Sequence, residues 1–234
     1  MCGRFNVTST PGLQVLLNEL SVDVQVTEAA CNVAPTEAVG LLRSTGDAPC
    51  SMQLARWWLT PSWAKEVSQK YAMFNARSEG LSKSPAFRKP FASQRGIVPM
   101  SSFIEWRGSA GDKQPWLISN EAEALAVAAL WDLWFDDKTD GSEPLLSCTL
   151  VTTAAAESFK PWHTRMPVML SSDDRERWLD NRAPIEPDDP VFAPQLREAL
   201  RLVPISRAAG NSRNKSPDSI LPAGEWVTLP ATDA

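Results

Sequence analysis

The sequence predicts a largely antiparallel α+β fold in a single domain spanning residues 1–234, on three observations. Short apolar or alternating segments follow one another with turn residues, not helices, between them, the pattern of strands joined into an antiparallel sheet. One strong helical repeat stands near the start and two weaker ones near the end. A length of 234 residues suits one large domain or two small ones, and neither an internal repeat nor a low-complexity linker marks a boundary.

Taken in order, Thr10 is placed to cap a helix with Pro11 at its first position, and Leu13, Leu16, Leu17 and Leu20 then fall on one face. Strands are expected at Val39–Arg43, Ser51–Trp58, Gly96–Glu105, Trp116–Ser119, Leu125–Trp131 and Leu146–Thr153. Two helices are expected at Asp173–Asp180 and Pro194–Leu202, with a last strand at Trp226–Leu229. The polar stretch Ala208–Ser219 reads as a loop, too close to the end to link to another domain.

Composition narrows the function classes. With 43% hydrophobic and 22% charged residues the chain is neither disordered nor built for a membrane, and its longest apolar run, Ala124–Trp131, is too short to span one. The opening Met1-Cys2-Gly3-Arg4-Phe5 lacks the apolar region of a secretory signal, so a cytoplasmic protein with free thiols is expected. No two of Cys2, Cys31, Cys50 and Cys148 form a CxxC pair, and there is one His, so neither a zinc site nor any other cofactor is expected. The 23 basic residues are outnumbered by 28 acidic ones, giving a net charge of −5. That excludes a surface coated in positive charge but leaves room for a small basic groove.

Cys2 offers unusual chemistry. A small second residue is the usual condition for removing the initiator Met, which would leave a thiol and an α-amine on adjacent carbons. An unprotonated amine condenses with an aldehyde, and the neighbouring thiol can then close a five-membered thiazolidine. The same group can instead act as an N-terminal nucleophile on an amide, or Cys2 can be incidental. Any proton shuttle near neutral pH must draw on the single imidazole, His163, or on a perturbed carboxylate. Glu105, set among Phe103, Ile104 and Trp106, is the carboxylate that burial would raise; pairing with Arg107 is the structural alternative.

If extended, Asn75, Arg77 and Glu79 face one side, as an active-site wall or a solvated strand face. Arg4, Arg77, Arg88, Lys89, Arg95, Arg165, Arg207, Arg213 and Lys215 are candidates for a local basic groove. Trp57, Trp58, Trp63 and Trp162 are candidate stacking platforms, one or two of which would suffice to bind single strands.

Seven motifs in order carry a family resemblance. They are Met1-Cys2-Gly3-Arg4-Phe5, Asn32-Val33-Ala34-Pro35-Thr36, Trp58 to Trp63 as W-x-x-P-x-W, Asn75-Ala76-Arg77-Ser78-Glu79, Phe103-Ile104-Glu105-Trp106, His163-Thr164-Arg165-Met166-Pro167 and Val203-Pro204-Ile205-Ser206-Arg207. The chain thereby resembles the SOS-response-associated peptidase family over nearly its whole length. The resemblance implies curved, barrel-like, mainly antiparallel sheets flanked by helices, and a monomer that captures abasic sites in single-stranded DNA without a cofactor. It implies Cys2, Asn75, Glu105 and His163 as catalytic residues and Arg4, Asn32, Pro35, Trp63, Arg77, Arg165 and Arg207 as DNA-binding ones. Thr164 stands where the family often has Asp, Ala64 where some members have a second Trp, Gly96 where a Cys is frequent, and Trp58 where Gly is usual. Arg4, Arg77 and Arg165 are expected to lie in one groove. An N-terminal-nucleophile amidohydrolase, a peptidase removing its own leading residue, and a non-covalent single-strand binder are the alternative functions.

Overall fold

A computed structural model describes residues 2–44, 48–109, 111–136, 141 and 143–232. The first half contains β1 (Phe5–Val7), α1 (Pro11–Glu19), β2 (Ala30–Val33), β3 (Ala38–Arg43), β4 (Ser51–Trp57), β5 (Asn75–Arg77) and α2 (Arg88–Ser93). There follow β6 (Arg95–Met100), β7 (Ser102–Arg107), β8 (Gln114–Asn120), β9 (Leu125–Trp134) and β10 (Leu145–Ala154). The chain continues with β11 (Arg165–Pro167), α3 (Ser172–Leu179), β12 (Leu200–Pro204) and β13 (Val227–Leu229).

Strands β10, β4, β3, β6 and β9 pair in that order, and β9 pairs back with β10, closing a five-stranded barrel. Only the β10–β4 contact in that ring is parallel. Beyond the barrel, β10 continues between β5, parallel to it, and β11, antiparallel. The second sheet runs β13-β12-β8-β7-β1-β2 and is antiparallel throughout. The expected α+β, barrel-like, mainly antiparallel architecture is therefore the one observed. One core cluster joins the two sheets, including Phe5, Trp57, Phe103, Ile118, Leu150 and Leu202.

Local chemistry explains most element ends. Thr10 caps α1 by accepting the Leu13 N–H at 3.1 Å, and Leu13, Leu16, Leu17 and Leu20 are all buried. Ser171 caps α3 in the same way through the Asp174 N–H. Two expectations fail. The single strand Gly96–Glu105 is two strands in different sheets, handed over at Ser101, whose N–H and hydroxyl both donate to the Asn6 carbonyl at 2.9 and 3.1 Å. Both halves are apolar, so periodicity could not show the break. The helix expected at Pro194–Leu202 is absent; Leu200 and Leu202 instead alternate as buried residues of β12, with Arg201 stacked on Trp226 on the other face. Among the described residues, no helix is long and apolar enough to cross a membrane.

Arg95 corrects a third expectation, because it is not part of any groove: its side chain is fully buried at the start of β6. Its Nε donates to the Trp178 carbonyl, Nη1 to Phe91 and Ala92, and Nη2 to Asp180 and Ala183, at 2.5–3.2 Å. One guanidinium thus ties together the carbonyl-rich C-terminal ends of α2 and α3, where positive charge is favoured. A lysine has three donors and cannot reproduce this fork. Arg95→Lys is expected to lower unfolding stability by ~2–4 kcal/mol in urea titration; a loss within ~0.5 kcal/mol would contradict the clamp.

Candidate active site

Sheet register places the start of the chain at the centre of the site. Phe5 and Asn6 pair with Phe103 and Ser102, and the Ile104 N–H donates to the Arg4 carbonyl at 2.9 Å. The next residue of β7 is Glu105, whose charge acts on the Cys2 thiol. From the other sheet, Asn75 at the head of β5 donates its Nδ2 to the Cys2 carbonyl at 2.8 Å. The Asn75 Oδ1 is buried and takes no hydrogen bond, leaving an acceptor beside Cys2.

Burial dominates the electrostatics. Cys2 is wholly buried, and desolvation, reinforced by Glu105, pushes its thiol far above the ordinary range. Burial likewise lifts the Glu105 carboxyl from 4.5 to about 7, against the opposing positive charge of Lys113. Burial, and after it the positive charges of Lys113 and Arg165, press the His163 imidazole below its ordinary value. Lys113 thus acts on both Glu105 and His163, and Glu105 acts on Cys2. The backbone N–H of Arg165 donates to His163 Nδ1 at 2.8 Å, which places the proton of the neutral ring on Nε2. The Arg165 carbonyl, 3.1 Å from the same nitrogen, would accept from the imidazolium.

The other expected site residues are placed as follows. Arg4 donates Nη1 to Asn32 Oδ1 (3.1 Å) and to the Ala209 carbonyl (3.2 Å), and lies over Trp106. Asn32 is fully buried with φ of 53°, and its Nδ2 is spent on the carbonyls of Ala209, Asn211 and Asn214. Its side chain anchors the 208–214 loop and orients Arg4, so it faces the protein rather than solvent. Pro35 stands in the turn between β2 and β3, half-buried. Arg77 is exposed on β5 opposite Thr152 of β10, and Arg165 pairs on the other edge of β10 with Ala154. The Cys2 thiol donates to the Arg4 carbonyl at 3.8 Å, Asn75 holds the Cys2 carbonyl, and β10 joins β5 to β11. Arg207 lies farther along the rim, paired with Asp112 at 2.5 Å.

Trp63 is 65% exposed, its indole N–H donating to the Pro85 carbonyl. It is displayed by a loop held rigidly from below: Asp132, buried on β9, accepts the Ser62 N–H at 2.7 Å, and Trp134 donates to the Ala64 carbonyl at 2.6 Å. Trp57 and Trp162, considered as platforms, are core residues, in contact with Phe5 and Phe159 respectively. Sequence reasoning missed Lys113, Trp106 and Asp132. Lys113 and Asp132 carry no local pattern, whereas Trp106, adjacent to Glu105, was visible but had no partner until Arg4 was placed.

In a closed barrel joined to an antiparallel sheet, a buried second-residue cysteine is held by the Asn75 amide and acted on by the Glu105 carboxyl at the chain's start. The chain belongs to the SOS response associated peptidase (SRAP) family, whose model matches residues 1–212. It is 33% identical over 228 residues to the abasic site processing protein YoqW of Bacillus subtilis, covering 94% of this chain and 99% of that one. It is 30% identical to the abasic site processing protein HMCES of Gallus gallus, over 71% of this chain and 56% of the relative. A crystal structure of a Bacteroides thetaiotaomicron protein shares the fold, with a TM-score of 0.72 at 21% identity over 94% of this chain and 99% of that one.

The raised Glu105 pKa has a stability consequence. The folded state favours the neutral acid, so this group's contribution is fully present below pH 4.5 and is lost as pH rises through about 7. The difference corresponds to ~3 kcal/mol. Glu105→Gln is therefore expected to be the more stable protein at pH 8, with the gap closing by pH 4, when both are compared by urea unfolding. A gap independent of pH would show that Glu105 is not tuned by burial.

Proposed function

We propose that this protein captures abasic sites in single-stranded DNA covalently through Cys2. The substrate class is taken from the abasic site processing relatives, and the carrying observation is Cys2 held by Asn75 beside Glu105. Removal of Met1 frees the Cys2 amine. That amine attacks the aldehyde of the ring-opened sugar, the aldehyde oxygen leaves as water, and an imine forms. The thiol sulfur then adds to the imine carbon while its proton passes to nitrogen, closing a thiazolidine without any oxidant or cofactor.

The electrostatics favour this order of events. Burial holds the thiol protonated, which suppresses direct attack by sulfur and leaves the first step to the amine. A carboxyl titrating at about 7 can both remove the proton that opens the sugar ring and return one to the departing oxygen. His163, neutral with Nε2 protonated, serves as donor to the sugar and in reversal. The Asn75 amide fixes the Cys2 carbonyl and so the direction of the amine. Arg4, Arg77 and Arg165, with Pro35, Arg207 and the Trp63 face, bind the strand; Asn32 contributes by holding Arg4. The protein acts as a monomeric single domain in the cytoplasm.

Incubation with an abasic single-stranded oligonucleotide should give a denaturant-resistant adduct that Cys2→Ala abolishes. Glu105→Gln should slow its formation by about 100-fold or more and remove an inflection near pH 7 from the rate profile. A Cys2→Ala protein that still forms the adduct would overturn the reading. Mass spectrometry gives an independent check, since a mature chain retaining Met1 has no free Cys2 amine.

A further inference from the structure

Arg165 does not present an open guanidinium. Its Nη1 and Nη2 donate to the two carboxylate oxygens of Glu79 at 2.5 and 3.0 Å, and Nη2 also donates to the Thr152 carbonyl at 2.7 Å. The two partners are unequally placed, with the Arg165 side chain 14% exposed and that of Glu79 59%. The guanidinium is the fixed member, tethered to Thr152 and carried on a strand laddered to β10. Glu79 is the outer, more exposed member, in a short 3-10 turn after β5. Any anion approaching Arg165 from solvent therefore meets Glu79 first. Carboxylate and phosphodiester oxygens fit the same arginine fork, so one can replace the other without moving the arginine.

We propose that Glu79 is a phosphate surrogate: in the DNA-free protein its carboxylate occupies the face of Arg165 that a backbone phosphate of the strand takes over on binding. The inference rests on the single-strand binding proposed above. It assigns Glu79 the role of an intramolecular competitor that weakens the hold on any strand. Each binding event must displace an intramolecular anion before Arg165 contributes. Arg77, two residues earlier and without a salt bridge among the described residues, is free to make the first phosphate contact. Glu79 also sets the countercharge: its carboxyl is held below its ordinary value chiefly by the hydrogen bond from Arg165, so it is fully ionised when DNA arrives.

The test is the salt dependence of binding to an intact, abasic-free single-stranded oligonucleotide, followed by fluorescence anisotropy between low and moderate salt. In the wild type, exchange of one carboxylate for one phosphate releases little net counterion at Arg165. In Glu79→Gln, which keeps the side-chain shape, the contact becomes a full charge neutralisation. Affinity at low salt should rise roughly two- to fivefold, and the slope of log affinity against log salt should steepen by about 0.7. Arg165→Gln in the Glu79→Gln background should erase both changes. An unchanged slope, or weaker binding by Glu79→Gln with an unaltered melting temperature, would overturn the proposal and leave Glu79 as a brace for β11. Wild-type protein that fails to bind intact strands would overturn it too. Retained binding without an abasic-site adduct would refute only covalent capture.

Discussion

The backbone of β10 is shared by both halves of the molecule. Its residues Leu145–Leu150 ladder with β9, and Ser147 and Cys148 pair with β4, which together close the barrel. Its last residues serve the site, with Leu150–Thr152 pairing β5 and Thr152–Ala154 pairing β11. Asn75 and Arg77 on one edge and Arg165 on the other are thus positioned by the register that shuts the barrel. A slip of one residue would turn each of these side chains to the opposite face. Thr152 shows the coupling: fully buried, it stands opposite Arg77 and Pro167 at once, and its carbonyl receives the Arg165 guanidinium. The second sheet supplies the remaining parts, since β7 carries Glu105 and ladders with β1, which fixes Cys2.

The acidic total of the chain takes on a local meaning in this frame. Three basic residues near the site are matched by carboxylates, Arg165 by Glu79, Arg207 by Asp112 and Lys215 by Glu37, whereas Arg77 makes no salt bridge among the described residues. Among the described residues Arg4 has no direct carboxylate partner and instead uses two oxygen acceptors and the Trp106 face. A net charge of −5 is therefore compatible with strand binding by exchange, in which phosphates take over positions that the protein's own anions hold. Exposed ion pairs contribute little to stability, so such exchange costs the fold little.

How much of this was readable from sequence depended on whether the determining contact was local. The cap at Thr10 and the leucine face of α1 were legible because a helix writes its partners three and four residues apart. The expected strands over 39–43, 116–119, 125–131 and 146–153 lie within observed ones for the analogous reason. The barrel's closure was not legible from pattern, because β9 and β10 look the same whether or not the ring shuts; only family resemblance pointed to curvature. The strand break at Ser101 and the burial of Arg95 were hidden by long-range partners, Asn6 for one and α3 for the other. The burial of Glu105 and its raised pKa were legible from its apolar neighbours Phe103, Ile104 and Trp106. The pairing of Arg165 with Glu79, across 86 positions, was not.

A single property of the site then accounts for two shifts that would seem to oppose each other. Exclusion of water drives Glu105 upward into the range where it can trade protons near neutrality, and drives the Cys2 thiol upward out of the range where it would be a free nucleophile. A solvated version of the same residues would have an ionised carboxylate unable to donate and a thiol open to oxidation and stray electrophiles. Burial therefore disfavours general thiol reactivity and suits the reaction proposed above, in which the carbon arrives already bonded to the neighbouring nitrogen. Sulfur then needs only to close a ring, and proximity replaces the nucleophilicity that desolvation removed. On that proposed reading the thiol and amine belong to one residue, and the Asn75 hydrogen bond to the Cys2 carbonyl anchors it.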